Sequence, residues 1–228
     1  YEFDAKSGVL KLLYESMGHE FAETITFEGA PFHLTSVQKK ALDLIFFYAH
    51  IAFGISYYKA FLNPAVIIQS GRLNDKEAAF FEKFYLNGLG EFSVKNNVDI
   101  QIAFPYEHFE RDRFNLDLKD RTLVPVGGGK DSCVTAELLK NAHHPITAIS
   151  LGNPRPIANS VRAGGLGHIV MTRQIAPALL RLNEAGGVFN GHVPITGLIS
   201  FLLWAAAVLY DYKYVAMSCE RSANSGNM

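Results

Sequence analysis

The sequence predicts an α/β protein in which helices cover both faces of a parallel sheet, preceded by a mainly helical region. Three observations predict this class. The 228 residues are 49% hydrophobic and 19% charged, enough for a sizeable core. From Arg121 onward, short runs that are apolar throughout alternate with helical segments, which is typical of parallel strands buried on both faces. Before Arg121, helix-start signals and aromatic stretches dominate. We therefore predict a mixed, mainly helical region over residues 1–120 and an α/β domain over residues 121–228.

The charge and the cysteine content restrict the possible partners and the cellular location of the protein. The formal net charge is −1, whereas bulk binding of nucleic acid needs an excess of Lys and Arg, so we expect no nucleic-acid partner. The two cysteines, Cys133 and Cys219, cannot form a disulfide framework and favour a reducing, cytoplasmic location. The first residues do not form a basic segment before an apolar one, and the last follow a dense polar motif. We expect a fragment of a longer protein.

The N-terminal region is predicted to contain one short strand, Glu23–Phe27, and two helices. The first helix has Lys39 and Lys40 in its first turns and runs through the aromatic-rich stretch Leu42–Leu62, and the second is Asp75–Leu86. Thr35 or Ser36 is expected to cap the first helix, and Asn63-Pro64 to end it. Asn74 is expected to cap the second helix, which has an acidic first turn. The aromatic side chains of the first helix are interpreted as core.

Four parallel strands are predicted in the α/β domain, namely Thr122–Val126, Ile146–Leu151, His168–Met171 and Tyr214–Ser218. Three helices are expected between them, namely Ser132–Lys140, Pro177–Glu184 and an apolar one within Val193–Tyr210. The last stretch has no charged residue over a length that could span a membrane. It contains Pro194 and Gly197 and lacks a basic anchor at its start. We interpret it as a buried helix and expect no membrane partner.

The sharpest motif lies between a strand and a helix, at Gly127, Gly128, Gly129, Lys130, Asp131 and Ser132. Consecutive glycines let backbone N–H groups approach an anion, and a helix start adds partial positive charge. Lys130 and Ser132 are candidate phosphate ligands, and Asp131 is a candidate ligand for Mg²⁺. The spacing is neither that of a Walker A loop nor G-x-G-x-x-G. The alternative is a glycine turn with incidental polar residues.

Two further polar motifs also lie where strand carboxyl ends or helix starts are predicted. The segment Asn190–Pro194 (NGHVP) would present Asn190 and His192 at a helix start, although a lone histidine is often structural. The segment Ser218–Asn227 (SCERSANSGN) follows the fourth strand and has almost no apolar content. It offers a guanidinium, a carboxylate and a thiol, at Arg221, Glu220 and Cys219. In parallel sheets, ligands bind outside these carboxyl ends.

The glycine motif resembles the pyrophosphate loop, S-G-G-x-D-S, of the ATP pyrophosphatases, which split ATP into AMP and pyrophosphate. Gly127 stands where that family usually has its first serine, and Gly128, Gly129, Asp131 and Ser132 match. The resemblance implies an ATP-pyrophosphatase-like domain. It also implies chemistry by adenylation, in which a substrate oxygen attacks the α-phosphorus and pyrophosphate leaves.

Four motifs in order resemble a narrower family, the bacterial UDP-N-acetyl-α-D-muramoyl-L-alanyl-L-glutamate epimerases. They are Asn87–Phe92 (NGLGEF), Val124–Ser132 (VPVGGGKDS), Asn190–Pro194 and Ser218–Asn227. The last usually reads S-N-E-R-S-A-N, so Cys219 replaces an asparagine. The resemblance implies ATP- and Mg²⁺-dependent inversion of the terminal L-Glu of a UDP-MurNAc-dipeptide. Family members continue well beyond the equivalent of Met228.

The resemblance also implies roles for residues in the matching motifs. Gly127 to Ser132 would hold ATP, with Asp131 on Mg²⁺, and Arg221 would hold an anionic group of the substrate. His192, Cys219 and Glu220 are the candidates for proton transfer; we place His192, Glu220 and Arg221 at the catalytic site. Two alternatives stay open. One is another ATP pyrophosphatase that amidates or thiolates a substrate such as tRNA, and the other is a module that binds ATP without turnover.

Overall fold

A computed structural model describes residues 1–219 of the chain as one seven-stranded sheet with eight helices around it. The strands are β1 (Glu2–Asp4), β2 (Val9–Ser16), β3 (His19–Phe27), β4 (Thr122–Pro125), β5 (Ile146–Leu151), β6 (His168–Gln174) and β7 (Tyr214–Val215). Their order across the sheet is β1-β2-β3-β6-β5-β4-β7.

The helices are α1 (Ser36–Phe53), α2 (Ile55–Phe61), α3 (Asp75–Gly88), α4 (Gly90–Asn96), α5 (Lys130–Asn141), α6 (Arg155–Ala163), α7 (Pro177–Ala185) and α8 (Ile195–Leu209). Capping boxes begin α1 and α3: the side chains of Thr35 and Asn74 accept from the backbone three residues later. The sequence predicts both caps. The first predicted helix is two helices in the structure, because the chain breaks at Gly54. Helix α6 has no counterpart in the sequence prediction.

The N-terminal region begins with strands, so the prediction of a mainly helical region is wrong. Strands β1, β2 and β3 form an antiparallel meander in which Glu2 pairs with Lys11 and Ser16 with His19. The β2–β3 turn consists of Met17 and Gly18, both with positive φ, a combination found in two-residue hairpins. The sequence signal of β2 is weak because Leu13 is exposed beside buried Leu10 and Leu12, which breaks the alternation.

The sheet is mixed, and the prediction of a parallel sheet describes only part of it. Strands β6, β5, β4 and β7 run parallel to one another, as the sequence predicts. Strand β3 joins β6 in the antiparallel sense, with Ile25 opposite Arg173 and Phe27 opposite Met171. The meander thus extends the parallel strands into one continuous sheet. Periodicity along a chain reports which faces are buried, but not which strand lies beside which, so the junction was not predictable.

Helices lie on both faces of the parallel strands. On one face, Leu123, Ile149 and Met171 belong to the main apolar core, which also contains buried residues of α1, α3 and α8. On the other face, Ala148 packs with Ile157 and Val161 of α6. Neighbouring residues of β5 therefore point into different cores, as they must in a strand buried on both sides.

Helix α8 lies in the main core, with nine of its fifteen residues buried, including Leu198, Leu202 and Ala206. This placement agrees with its interpretation as a buried helix. Within residues 1–219, one stretch is long and apolar enough to cross a membrane, Ser36–Phe61, with a mean hydropathy of 1.3. Of its most apolar window, 67% is buried against the rest of the chain, and core helices pass the same test.

Candidate functional site

The glycine motif forms the connection between β4 and α5, at the carboxyl edge of the parallel strands. Gly128 has φ +82°, which favours glycine, and a Cβ there would lie 3.3 Å from Pro156 Cβ. Gly127 and Gly129 are exposed, and a Cβ on either would meet no atom of residues 1–219 within 4 Å. Among the described residues, the backbone of this turn is therefore open to the approach of a ligand.

Helix α5 begins at the glycine turn without a side-chain cap. Its N-cap residue is Gly129, which has no side chain to accept a hydrogen bond from the first turn. Ser132 is buried and donates to the carbonyl of Gly129 at 3.0 Å, so its hydroxyl braces the turn. Asp131 is half-buried, and Lys130 is exposed. An uncapped start on a 12-residue helix is suited to a phosphate, and a carboxylate oxygen beside it is a ligand type that Mg²⁺ accepts.

The start of the third motif lies against the glycine-loop helix. Ser218 Oγ donates to Oγ1 of Thr135, one turn into α5, at 2.8 Å. Cys219 follows and is exposed as a free thiol. The structure thus brings together the first and third motifs, which are 83 residues apart at this contact. Glu220 and Arg221, which the sequence assigns to the catalytic site, lie outside the described residues.

The second motif is held by a lysine that sequence reasoning missed. Lys59, on α2, is 6% exposed, and its Nζ donates to Asn190 Oδ1 at 3.2 Å and to the carbonyl of Gly191 at 2.5 Å. Asn190 Oδ1 also accepts from the backbone N–H of Gly191 at 2.8 Å. The amide oxygen of Asn190 therefore braces its own loop. His192, two residues on, is exposed.

The NGLGEF and NGHVP motifs pack against each other. A Cβ on Gly88 would lie 2.5 Å from Pro194 Cγ, so this close approach requires a glycine. Asn96 Nδ2, at the end of α4, donates to the carbonyl of Asn190 at 3.4 Å. Glu91 has its pKa lowered chiefly by the hydrogen bond from Lys95, and the charge of His192 adds to this shift. The two motifs therefore contact each other through Gly88 and Pro194 and through Asn96 and Asn190.

A buried ion pair lies at the same edge of the sheet. Arg173, near the end of β6, donates from Nε to Glu23 Oε1 at 2.5 Å, and Tyr57 donates to Glu23 Oε2 at 2.7 Å. Glu23 is fully buried, and burial followed by the Glu23 charge raises the pKa of Tyr57. The sequence contains a signal for this cluster: Glu23 falls on the apolar face of its strand, in step with Phe21 and Ile25.

Two cavities formed by the described residues, of about 420 and 470 Å³, are not lined by the predicted site residues. The larger, of about 470 Å³, is lined by residues at the chain start, α1 and residues 109–114. Within the described part of the chain, no group of three His, Cys, Asp or Glu side chains is placed to hold a metal ion. Among residues 1–219, Asp131 is the candidate metal ligand at the glycine turn, and its carboxylate is a ligand type that Mg²⁺ accepts.

The fold and the site define a mixed α/β domain with a glycine turn at the carboxyl edge of its parallel strands, against which the start of the third motif packs, while the NGLGEF and NGHVP motifs form a second contacting pair. Within this class, the chain belongs to a known family, since the model of the MurL N-terminal domain matches residues 1–228.

Curated relatives agree with this membership. The chain is 36% identical over 98% of its length to UDP-N-acetyl-alpha-D-muramoyl-L-alanyl-L-glutamate epimerase of Xanthomonas oryzae pv. oryzae, of which it covers 50%. It is 32% identical over its whole length to the protein of the same name from a Micromonospora strain, of which it covers 52%. The chain thus spans about half the length of these relatives. The resemblance read from the four motifs is confirmed. No solved structure matches the chain.

Proposed function

We propose that the full-length protein converts the terminal L-Glu of UDP-MurNAc-L-Ala-L-Glu to D-Glu, at the expense of ATP, in peptidoglycan precursor synthesis. The names of the relatives support the substrate. The observation that carries the role of this chain is the glycine turn, exposed at Gly127 and Gly129 and opening an uncapped helix. The two exposed free thiols fit a reducing compartment, so we place the reaction in the cytoplasm.

The chemistry explains why ATP is consumed. Removing the α-proton of a free carboxylate would place a second negative charge beside the first. In the proposed route, a carboxylate oxygen of the substrate attacks the α-phosphorus of ATP, and the bond to pyrophosphate breaks. The resulting acyl-adenylate has lost the carboxylate charge, so a base can take the α-proton from one face and an acid can return one to the other. Hydrolysis of the anhydride then releases AMP and product.

Residues of this chain have defined tasks in the proposal. Backbone N–H groups at the start of α5 and the ammonium of Lys130 bind the phosphates. Asp131 holds Mg²⁺, which when bound neutralises phosphate charge. We assign proton transfer to His192, which is exposed in the loop that packs against the NGLGEF motif. Glu220 and Arg221 remain assigned by motif alone.

One experiment separates the candidate functions. The full-length protein is incubated with ATP, Mg²⁺ and UDP-MurNAc-L-Ala-L-Glu in D₂O, and AMP, glutamate chirality and α-deuterium are measured. We expect D-Glu that carries deuterium at the α-carbon, together with substrate-dependent AMP and pyrophosphate. Epimerisation without ATP consumption would contradict the adenylate. AMP release without deuterium would indicate another ATP pyrophosphatase, and ATP binding without any turnover would indicate a sensing module.

A further inference from the structure

Lys59 is a buried cation to which the proposed reaction assigns no role. It lies on the last turn of α2 with 6% of its surface exposed. Arg173 nearby is satisfied by Glu23, whereas no carboxylate within residues 1–219 forms an ion pair with Lys59. Burial and, to a smaller extent, repulsion from Arg173 lower the pKa of Lys59. Burying a charge is unfavourable, so the hydrogen bonds of this ammonium have to compensate for the hydration that it loses.

Both acceptors of Lys59 lie in the NGHVP motif, 131 and 132 residues away along the chain. They are Asn190 Oδ1 and the carbonyl of Gly191, and hydrogen bonds from a charged donor are stronger than those from a neutral one. The next residue of α2 adds a third link, since the carbonyl of Ala60 accepts from the N–H of Phe189 at 3.1 Å. Two successive residues of α2 therefore hold three successive residues, Phe189, Asn190 and Gly191.

Residues 186–194, which contain this motif, form neither helix nor strand between α7 and α8. The backbone ladder of a regular element therefore does not fix the place of His192. Instead, hydrogen bonds hold the loop in place. They join it to Lys59 and Ala60 of α2, and Asn96 donates to the Asn190 carbonyl. Among these, the bond from Lys59 to the Gly191 carbonyl reaches the residue next to His192.

We propose that Lys59 is the positioning residue of the His192 loop, residues 186–194: by fixing Asn190 and Gly191 it sets where the imidazole of His192 meets the substrate. Lys59 acts through the loop and does not itself exchange protons with the substrate. The catalytic part of this inference rests on the proposed function of His192, and its structural part does not.

The structural part is tested by hydrogen exchange in the full-length protein. In Lys59→Met the aliphatic stem is retained and the donors are lost, so we expect amide exchange at Gly191 to become at least about ten-fold faster, while exchange in β5 stays unchanged. Lys83→Met, at an exposed lysine of α3, is the matched control and should change neither. Unchanged exchange at Gly191 would overturn the proposal.

A second variant asks whether Lys59 acts through Asn190, and Lys59→Gln replaces Lys59→Met in all these measurements if the latter fails to fold. Asn190→Ala removes an acceptor from an exposed residue and leaves the core intact. It should also accelerate exchange at Gly191, because the Asn190 side chain accepts from that N–H. In the Asn190→Ala background, changing Lys59 to Met should add less than it does in the wild type. Full additivity of the two changes would show that Lys59 does not act through Asn190.

The catalytic part is tested by a double-mutant cycle on kcat for epimerisation. Lys59→Met should lower kcat about ten-fold or more with little change in KM, since binding of the substrate is not its task. In the His192→Ala background the same change should have almost no further effect. An equal loss in both backgrounds would overturn positioning through His192. If His192→Ala alone retained full activity, the proposed role of His192 would fail, while the exchange result would still decide the structural part.

Discussion

At the scale of single residues, the candidate site depends on a few groups at the glycine turn whose roles can be separated. Gly128 allows the positive φ of the turn, Ser132 stabilises the turn by its hydrogen bond to the Gly129 carbonyl, and Asp131 places a half-buried carboxylate in the first turn of α5. Of these three residues, we single out Asp131 because its charge can be removed while the shape of the side chain is kept, since Asn has the same size as Asp. Asp131 therefore gives the cleanest test of chemistry at this turn.

We predict that Asp131→Asn lowers AMP formation in the full-length protein by about a hundred-fold or more, a loss typical of deleting a charge that stabilises a transition state. Folding, followed by thermal unfolding, should be unchanged. Asp75→Asn is the matched control, because Asp75 also lies in the first turn of a helix but on a different helix from the glycine turn. AMP formation near the wild-type rate in Asp131→Asn would remove this residue from the site.

The exposed thiol of Cys219 gives a second prediction at this scale. The family usually has Asn here, which cannot act as a base at neutral pH, so Cys219→Asn should retain activity within about ten-fold, or roughly 1.4 kcal/mol in the barrier. Arg221→Ala should lose most activity, because an anionic substrate group would lose its partner. Both are measured as α-deuterium incorporation and pyrophosphate release. Loss of deuterium with retained pyrophosphate in Cys219→Asn would make the thiol a proton-transfer group.

At the scale of elements, the junction of β3 with β6 determines how the sheet edge is built. It places Glu23 against Arg173 and Tyr57, so three elements share one buried network of charged and hydroxyl groups. Removing one member of a buried ion pair leaves the other charge uncompensated, which costs more than the pair contributes. The network therefore makes the junction sensitive to single substitutions.

We predict that Glu23→Gln destabilises the chain by about 3–5 kcal/mol, because Arg173 would remain buried as an unpaired cation. Denaturant unfolding measures this loss. Glu20→Gln, at an exposed position of the same strand, is the control and should fall within about 0.5 kcal/mol of wild type. Equal stabilities of the two variants would show that the Glu23 charge is not needed to compensate Arg173.

The elements also show how far the sequence could predict the structure. Helix starts at Thr35 and Asn74 were predictable because capping is local chemistry between residues three apart. The four parallel strands were predictable from their apolar runs. The β3–β6 pairing and the contact of Lys59 with Asn190 were not, since both join residues more than a hundred positions apart. In the site, the glycine turn was predictable from its motif. The role of Asn190 as an acceptor for Lys59 was not, because it depends on a lysine that is distant in sequence.

At the scale of the whole molecule, the stability of the chain should depend on pH through His50. This histidine of α1 lies against β2: its Nε2 donates to the carbonyl of Leu13 at 2.8 Å, and Nδ1 accepts from Ser70 Oγ at 3.0 Å. Burial lowers the pKa of His50 from 6.5 to about 4. Between these values the unfolded chain binds more protons than the folded one, so stability falls as the pH is lowered.

We predict that the free energy of unfolding decreases by up to about 3 kcal/mol between pH 6.5 and pH 4 because of this one residue. Substituting His50 with Gln should flatten the pH dependence of stability in that window, and His33→Gln, at an exposed histidine, should not. Denaturant midpoints at pH 4.5 and pH 7 give the comparison. Parallel curves for wild type and His50→Gln would contradict the assignment.

The pairing of β3 with β6 also has a consequence for synthesis of the chain. Glu23 and Arg173 are separated by 150 residues, and a ribosome adding about 5–20 residues per second needs roughly 8–30 s to cover that distance. During this interval one edge of β3 has no partner strand and is open to wrong pairing. Nascent chains that end before His168 should therefore stay sensitive to protease within residues 19–27, and chains that extend past Gln174 should become resistant. Protection of residues 19–27 in the shorter chains would show that the free edge of β3 is covered before β6 has been made.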